Sequence, residues 1–188
     1  MRESPGKPEA HSDSARDVRS GTEVFAELYE QYLPKVFRYI GYRVGDIHLA
    51  EDLTAEVFEK ALMGFSSYRS EKASFSTWLL SIARHTVIDH HRASGKRQTI
   101  PLEKAAEMSS ESVSPEEEAV SREEQQRLQA YLAGLPQQEQ EIISLKFGAE
   151  LTNRQTAKVL GLSESNVGTK LYRAVRKLRD SFKGWQNG

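Results

Sequence analysis

The chain contains no cysteine. That excludes a disulfide framework, a thiolate zinc site and a cysteine nucleophile, and it agrees with a reducing compartment. Long apolar runs are missing too: none approaches the roughly 20 residues that span a bilayer, and the opening MRESPGKPEAHSDSARD has no signal-peptide core. No membrane insertion and a cytoplasmic location are therefore expected. Strand-like alternation and internal repeats are also absent. Neither charge sign dominates, since the net charge is −1 over 188 residues, and 38% hydrophobic with 28% charged residues describes an ordinary globular chain.

That near-neutral total conceals a segregation. Residues 151–188 carry eight basic and two acidic side chains, a local charge of +6, whereas residues 101–124 carry eight acidic and two basic ones, a local charge of −6. The basic stretch, TNRQTAKVLGLSESNVGTKLYRAVRKLR, reads as a helix-turn-helix. Thr152 with Gln155 has capping-box spacing, Gly161 ends the first helix, and Ser163 caps the second. Val167, Leu171, Val175, Leu178 and Phe182 recur at helical spacing and predict a packed stripe. Asn166, Lys170, Arg173, Arg176 and Lys177 fall largely off it, as expected of a helix that meets DNA.

Upstream, residues 1–19 are polar and without periodicity, which predicts a mobile tail. Ser20 and Glu23 have capping-box spacing before Val24, Phe25, Leu28, Tyr32, Val36, Phe37 and Ile40, an amphipathic pattern that contains Pro34. A second pattern sets Leu49, Leu53, Val57, Ala61 and Leu62 on one face, with Glu51, Asp52, Glu56, Glu59 and Lys60 toward solvent. A third begins near Phe75 and runs through Trp78, Ile82 and Val87 to a basic end. Periodicity then fades over 99–114, Ser114-Pro115 announces a helix to about Ala133, and LPQQEQEIISLKFG predicts a short helix closed by Gly148. The expected fold is all-α: two small helical domains, 20–98 and 115–188, joined by a flexible acidic linker at 99–114.

Four ordered segments carry a family resemblance. GDIHLAEDLTAEVFEKAL at 45–62, SFSTWLLSIARHTVIDHHR at 74–92, LAGLPQQEQEIISLKF at 132–147 and the helix-turn-helix together resemble an extracytoplasmic-function (ECF) sigma factor of the sigma-70 family. The resemblance implies a σ2-like domain at 20–98, a σ4-like domain at 115–188, and promoter-specific initiation with core RNA polymerase. It implies that Asp52, Leu53, Glu56, Val57 and Lys60 dock on the coiled coil of the β′ clamp, and that the σ4-like part meets the β flap. Ala55 stands where the family usually has Gln. The −10 element would be held by Arg69, Arg84, Arg92, Lys96 and Arg97 as cations, with Ser74, Thr77 and His85 lining a base pocket. His85 replaces the family's usual Asn, and imidazole can stack as well as hydrogen-bond. The −35 element would be read by Ser163, Glu164, Ser165, Asn166, Thr169, Lys170 and Arg173, with Arg176 and Lys177 on phosphates. Promoter DNA and core polymerase are thus the implied partners, and an anti-sigma factor is common in the family.

Two other readings compete. Asp89-His90-His91 spells a phosphoesterase triplet, but successive helical residues diverge by about 100° and no partner motifs accompany it. A stand-alone helix-turn-helix regulator would explain the C-terminal half, yet it leaves the 45–92 segments idle and lacks a dimer domain. No catalytic residue, metal or cofactor is expected.

Overall fold

A computed structural model describes residues 12–94 and 130–186 of the chain, with side chains over 21–94 and 130–182. Every regular element among these residues is helical. Helix α1 spans Ser12–Val44, α2 Ile47–Gly64 and α3 Phe75–Ala93; residues 130–133 are helical, α4 spans Gln137–Ile143, and α5 (Asn153–Leu160) and α6 (Glu164–Gln186) complete the order. Ser144–Gly148 continues α4 as a π-turn. The linker at 99–114, the start of the helix expected from 115, and residues 1–11 lie outside the described residues.

Several boundaries follow from local chemistry. Asp46 is extended and its side chain accepts from the Leu49 amide, which starts α2; Ser74 does the same for α3 through the Thr77 amide. In α5 both halves of the capping box form, Gln155 N–H to Thr152 Oγ1 at 3.2 Å and Thr152 N–H to Gln155 Oε1 at 2.9 Å. Gly161 sits at φ 66°, the left-handed conformation that favours glycine, and there α5 stops. The N-terminal boundary differs from expectation. Helix α1 begins at Ser12, so the stretch to residue 19 that lacks apolar periodicity is helical from Ser12 on, and Pro34 lies inside α1 without ending it.

Helices α1, α2 and α3 enclose the main core, built on Val36, Tyr39, Ile40, Val57, Leu79, Leu80 and Ala83. An aromatic cluster closes one end: Phe75 meets Tyr32, Phe65, Tyr68 and Trp78 at centroid distances of 5.2 to 6.2 Å. The C-terminal half has smaller cores, one around Ile142, Ala157 and Val167, another around Leu132, Leu135, Ile143 and Ala174. Leu145, Ala149, Leu151 and Val159 leave those cores and join the main one, so the two halves pack against each other.

Two apolar stripes shift from the expected residues. Leu62 is exposed beside Met63, because the buried face of α2 ends at Ala61. On α6 the stripe is Val167, Leu171, Ala174 and Leu178, while Val175 faces out and Phe182 lies at the edge against Tyr131. The 3.6-residue period selects Ala174 over Val175, since at about 100° per residue position 174 returns to within about 20° of Val167 whereas position 175 lies about 80° round the helix.

Candidate nucleic-acid interface

The second helix of the helix-turn-helix, α6, offers an open face. Ser163 Oγ accepts from the Asn166 amide at 3.2 Å, which fixes the start of the helix. Glu164, Ser165, Asn166, Thr169, Arg173 and Arg176 are exposed along it, and Lys170 is half-buried. Thr169 turns its hydroxyl back to the Ser165 carbonyl at 3.0 Å, so its methyl is the part left for an outside partner. Lys177 differs from the others. Its ammonium is 2.9 Å from Glu139 Oε2, a carboxylate buried on α4, so it ties α6 to its own domain.

The N-terminal candidates are more heavily engaged. Arg69 folds its guanidinium onto the carbonyls of Ser66 and Tyr68 at 2.9 and 3.0 Å, tightening the loop whose Tyr68 hydroxyl donates to the Ala73 carbonyl. Burial raises the pKa of that phenol, so it remains a donor. Thr77 is buried, with its hydroxyl 2.9 Å from Ser74 Oγ, whereas Ser74 is exposed at the start of α3 while it caps the helix. Arg84 is half-buried and donates from Nε to Glu141 Oε1 at 2.8 Å, across to α4. His85 is exposed. Its Nδ1 lies 2.7 Å from the Ser81 carbonyl, so that nitrogen donates, and in the neutral ring Nε2 is then the acceptor. Arg92 is exposed with Asp89 at 3.7 Å, and Lys96 and Arg97 lie outside the described residues.

On α2, Asp52, Glu56 and Lys60 face outward, with Lys60 bound to Glu56 at 2.6 Å and to Thr86 Oγ1 at 3.1 Å. Leu53 and Val57 do not share that face. They are 4% and 0% exposed, covered by the chain's own helices, so the apolar surface beside the carboxylates is Leu62 and Met63 instead. Among the described residues no group of three His, Cys, Asp or Glu side chains is arranged to hold a metal ion, and no helix is long and apolar enough to cross a membrane.

Among the described residues, four charged side chains outside the expected sites join the two halves through ion pairs. Glu150 binds Lys35 at 2.9 Å and Arg38 at 2.6 Å, and these cations hold its carboxyl below the usual range. The fourth, Glu141, was the legible one. A carboxylate on the apolar face of α4 must find a cation when that face is buried.

Sequence comparison assigns the two halves. The model of sigma-70 region 2 matches residues 28–97, and that of sigma-70 region 4 matches 125–178. The ECF RNA polymerase sigma factor BldN of Streptomyces coelicolor is 35% identical over 179 residues, covering 92% of this chain and 68% of the relative. The chain belongs to the ECF sigma factors of the sigma-70 family. The sigma factor YlaC of Bacillus subtilis is 33% identical over 157 residues, covering 83% of this chain and 90% of its own. Among solved structures, CnrH in complex with the cytosolic domain of CnrY aligns with TM-score 0.68 at 19% identity, over 90% of this chain and 94% of that one. RpoE of Bartonella quintana, solved with the anti-sigma factor NepR, aligns with TM-score 0.68 at 18% identity, over 86% and 98%. At that identity these two speak for the fold alone. This sigma factor is thus a transcription initiation factor, a class without catalytic activity of its own, and a stand-alone regulator would leave the region 2 match without a role.

Proposed function

We propose that the sigma factor binds core RNA polymerase and reads a bipartite promoter, with 20–98 on the −10 element and 115–188 on the −35 element. In this reading α6 enters the major groove through Ser163, Glu164, Ser165, Asn166, Thr169, Lys170 and Arg173, while Arg176 meets phosphate. Asn and Arg suit adenine and guanine edges, each good pair discriminating by roughly 1–3 kcal/mol. Arg84, His85, Arg92, Lys96 and Arg97 serve the strand opened at −10, where His85 Nε2 offers an acceptor or a stacking face. The carboxylates of α2, beside Leu62 and Met63, meet a charged helical partner on polymerase. The protein hydrolyses nothing itself, works in the cytoplasm, and is a target for an anti-sigma factor, as RpoE of Bartonella quintana is for NepR.

The observation that carries the reading is the order of regions 2 and 4 in one chain, with a capped, outward-facing recognition helix in the second. Two weak readers on one tether gain from effective concentration only at a matching spacing, so spacing becomes part of specificity. Reconstitution with core enzyme and sequencing of transcripts from genomic fragments tests it. Aligned start sites should reveal two elements at a constant separation; initiation that ignores either one would overturn it.

A further inference from the structure

Asn166, Lys170, Arg173 and Lys177 are spaced by four, three and four residues, so at about 100° per residue they lie within roughly 60° of one another on α6. They form one ridge. Asn166 and Arg173 are exposed and Lys170 is half-buried, whereas the ammonium of the fourth member ends on the domain's own carboxylate, Glu139 Oε2, at 2.9 Å. Glu139 is the fixed end of that pair. Its side chain is 11% exposed against 51% for Lys177, and it stands on α4, whose Ile142 and Ile143 pack into the two small cores beneath α6.

The apolar contacts under α6 do less to fix its rotation. Val167 and Leu171 pack in one core and Ala174 and Leu178 in the other, and of these the fully buried Ala174 offers only a methyl. Apolar burial is non-directional, while a charge-assisted hydrogen bond has a preferred length and angle. With side-chain tips about 5–6 Å from the helix axis, a roll of about 20° carries the ends of Asn166 and Arg173 by roughly 2 Å, more than a hydrogen bond to a base tolerates.

We propose that Glu139 is a specificity-determining positioning residue: through Lys177 it sets the roll of α6, and thereby which base edges Asn166 and Arg173 reach. Lys177 is then withheld from the DNA although it belongs to the same ridge as the readers. Part of the discrimination between upstream sequences is assigned to a carboxylate that touches no base. This role rests on the −35 reading of α6 proposed above.

The test uses holoenzyme carrying the full chain and a promoter mapped by its start site, randomised across the upstream element, with bound DNA recovered and sequenced. The parent should enrich a narrow set. Glu139→Gln combined with Lys177→Met, which leaves no unpaired buried charge, should lower the preference for that set over single mismatches by about tenfold, the worth of one good base contact. Glu139→Gln alone, nearly isosteric, should broaden the set in the same direction, so the role can fail even where the double variant is unstable. Lys177→Arg keeps a donor for Glu139 and should retain the narrow set. Salt separates positioning from a phosphate contact: affinity of the double variant for the preferred sequence should fall with salt as steeply as the parent's, whereas loss of a phosphate contact lessens that slope by about one. A lessened slope would return Lys177 to the DNA, and an unchanged set at an unchanged slope would leave the pair structural only. Either result, or equal broadening in Lys177→Arg, overturns the role of Glu139. A parent that enriches no upstream sequence overturns the −35 reading first and this role with it.

Discussion

The two halves handle their polar side chains in opposite ways. In the region 4 half, the residues expected to meet DNA project from one capped helix, and only Lys177 is drawn into an internal ion pair. In the region 2 half, Arg69 is spent on loop carbonyls, Ser74 and Thr77 on starting α3, and Arg84 on Glu141. The difference follows from architecture. A recognition helix has one packed stripe and a wide free face, whereas α3 packs against α1, α2 and α5. Ser76, Thr77 and Thr86 therefore meet protein before they meet solvent.

The largest contrast should appear in the cores. Leu79→Ala, at a fully buried site of the three-helix core, should cost about 2–5 kcal/mol in urea unfolding. Val167→Ala removes less side chain from a smaller core and should cost less; equal losses would mean that the halves do not differ in packing. Next come the exposed readers. Asn166→Ala or Arg173→Ala should weaken binding of holoenzyme to the upstream element by roughly 1–3 kcal/mol, with unfolding midpoints unchanged. A drop in stability instead would make these residues structural.

A smaller effect is expected from Thr152→Ala, which deletes one half of the α5 capping box and should lower stability by about 1 kcal/mol, read as a fall in the thermal midpoint. The smallest concerns acid. Burial, then Arg43 and His90, lower the pKa of His91 from its ordinary value of 6.5. The folded state thus favours neutral imidazole more than the unfolded chain does. Its contribution is complete above 6.5 and is lost as pH falls through the lower folded value. His91→Gln should flatten the stability profile in that window; an identical profile would assign the acid loss to other groups.

Much of this was legible in order along the chain. Thr152, Gln155, Gly161 and Ser163 specify the helix-turn-helix through bonds between near neighbours, and they form as their spacing predicts. Phase along a helix was less legible at its edges. Leu62, Val175 and Phe182 are apolar and near the right period, yet Leu62 lies past the end of the buried face of α2, Val175 is turned out beside the buried Ala174, and Phe182 only edges against Tyr131. The reverse holds for Leu53 and Val57, which local pattern allows on either a docking face or a core and which packing buries. Glu150 left no local signal, because both its partners come from α1, far back in the chain.

The all-helical character, the order of the two halves and the recognition helix are written in the residues alone, because caps, turns and periodicity act over a few positions. Which polar side chains remain free is settled by packing between distant segments. Whether Arg84 awaits a phosphate or holds Glu141 depends on two surfaces far apart in the chain, and burial makes a charge on one seek its complement on the other.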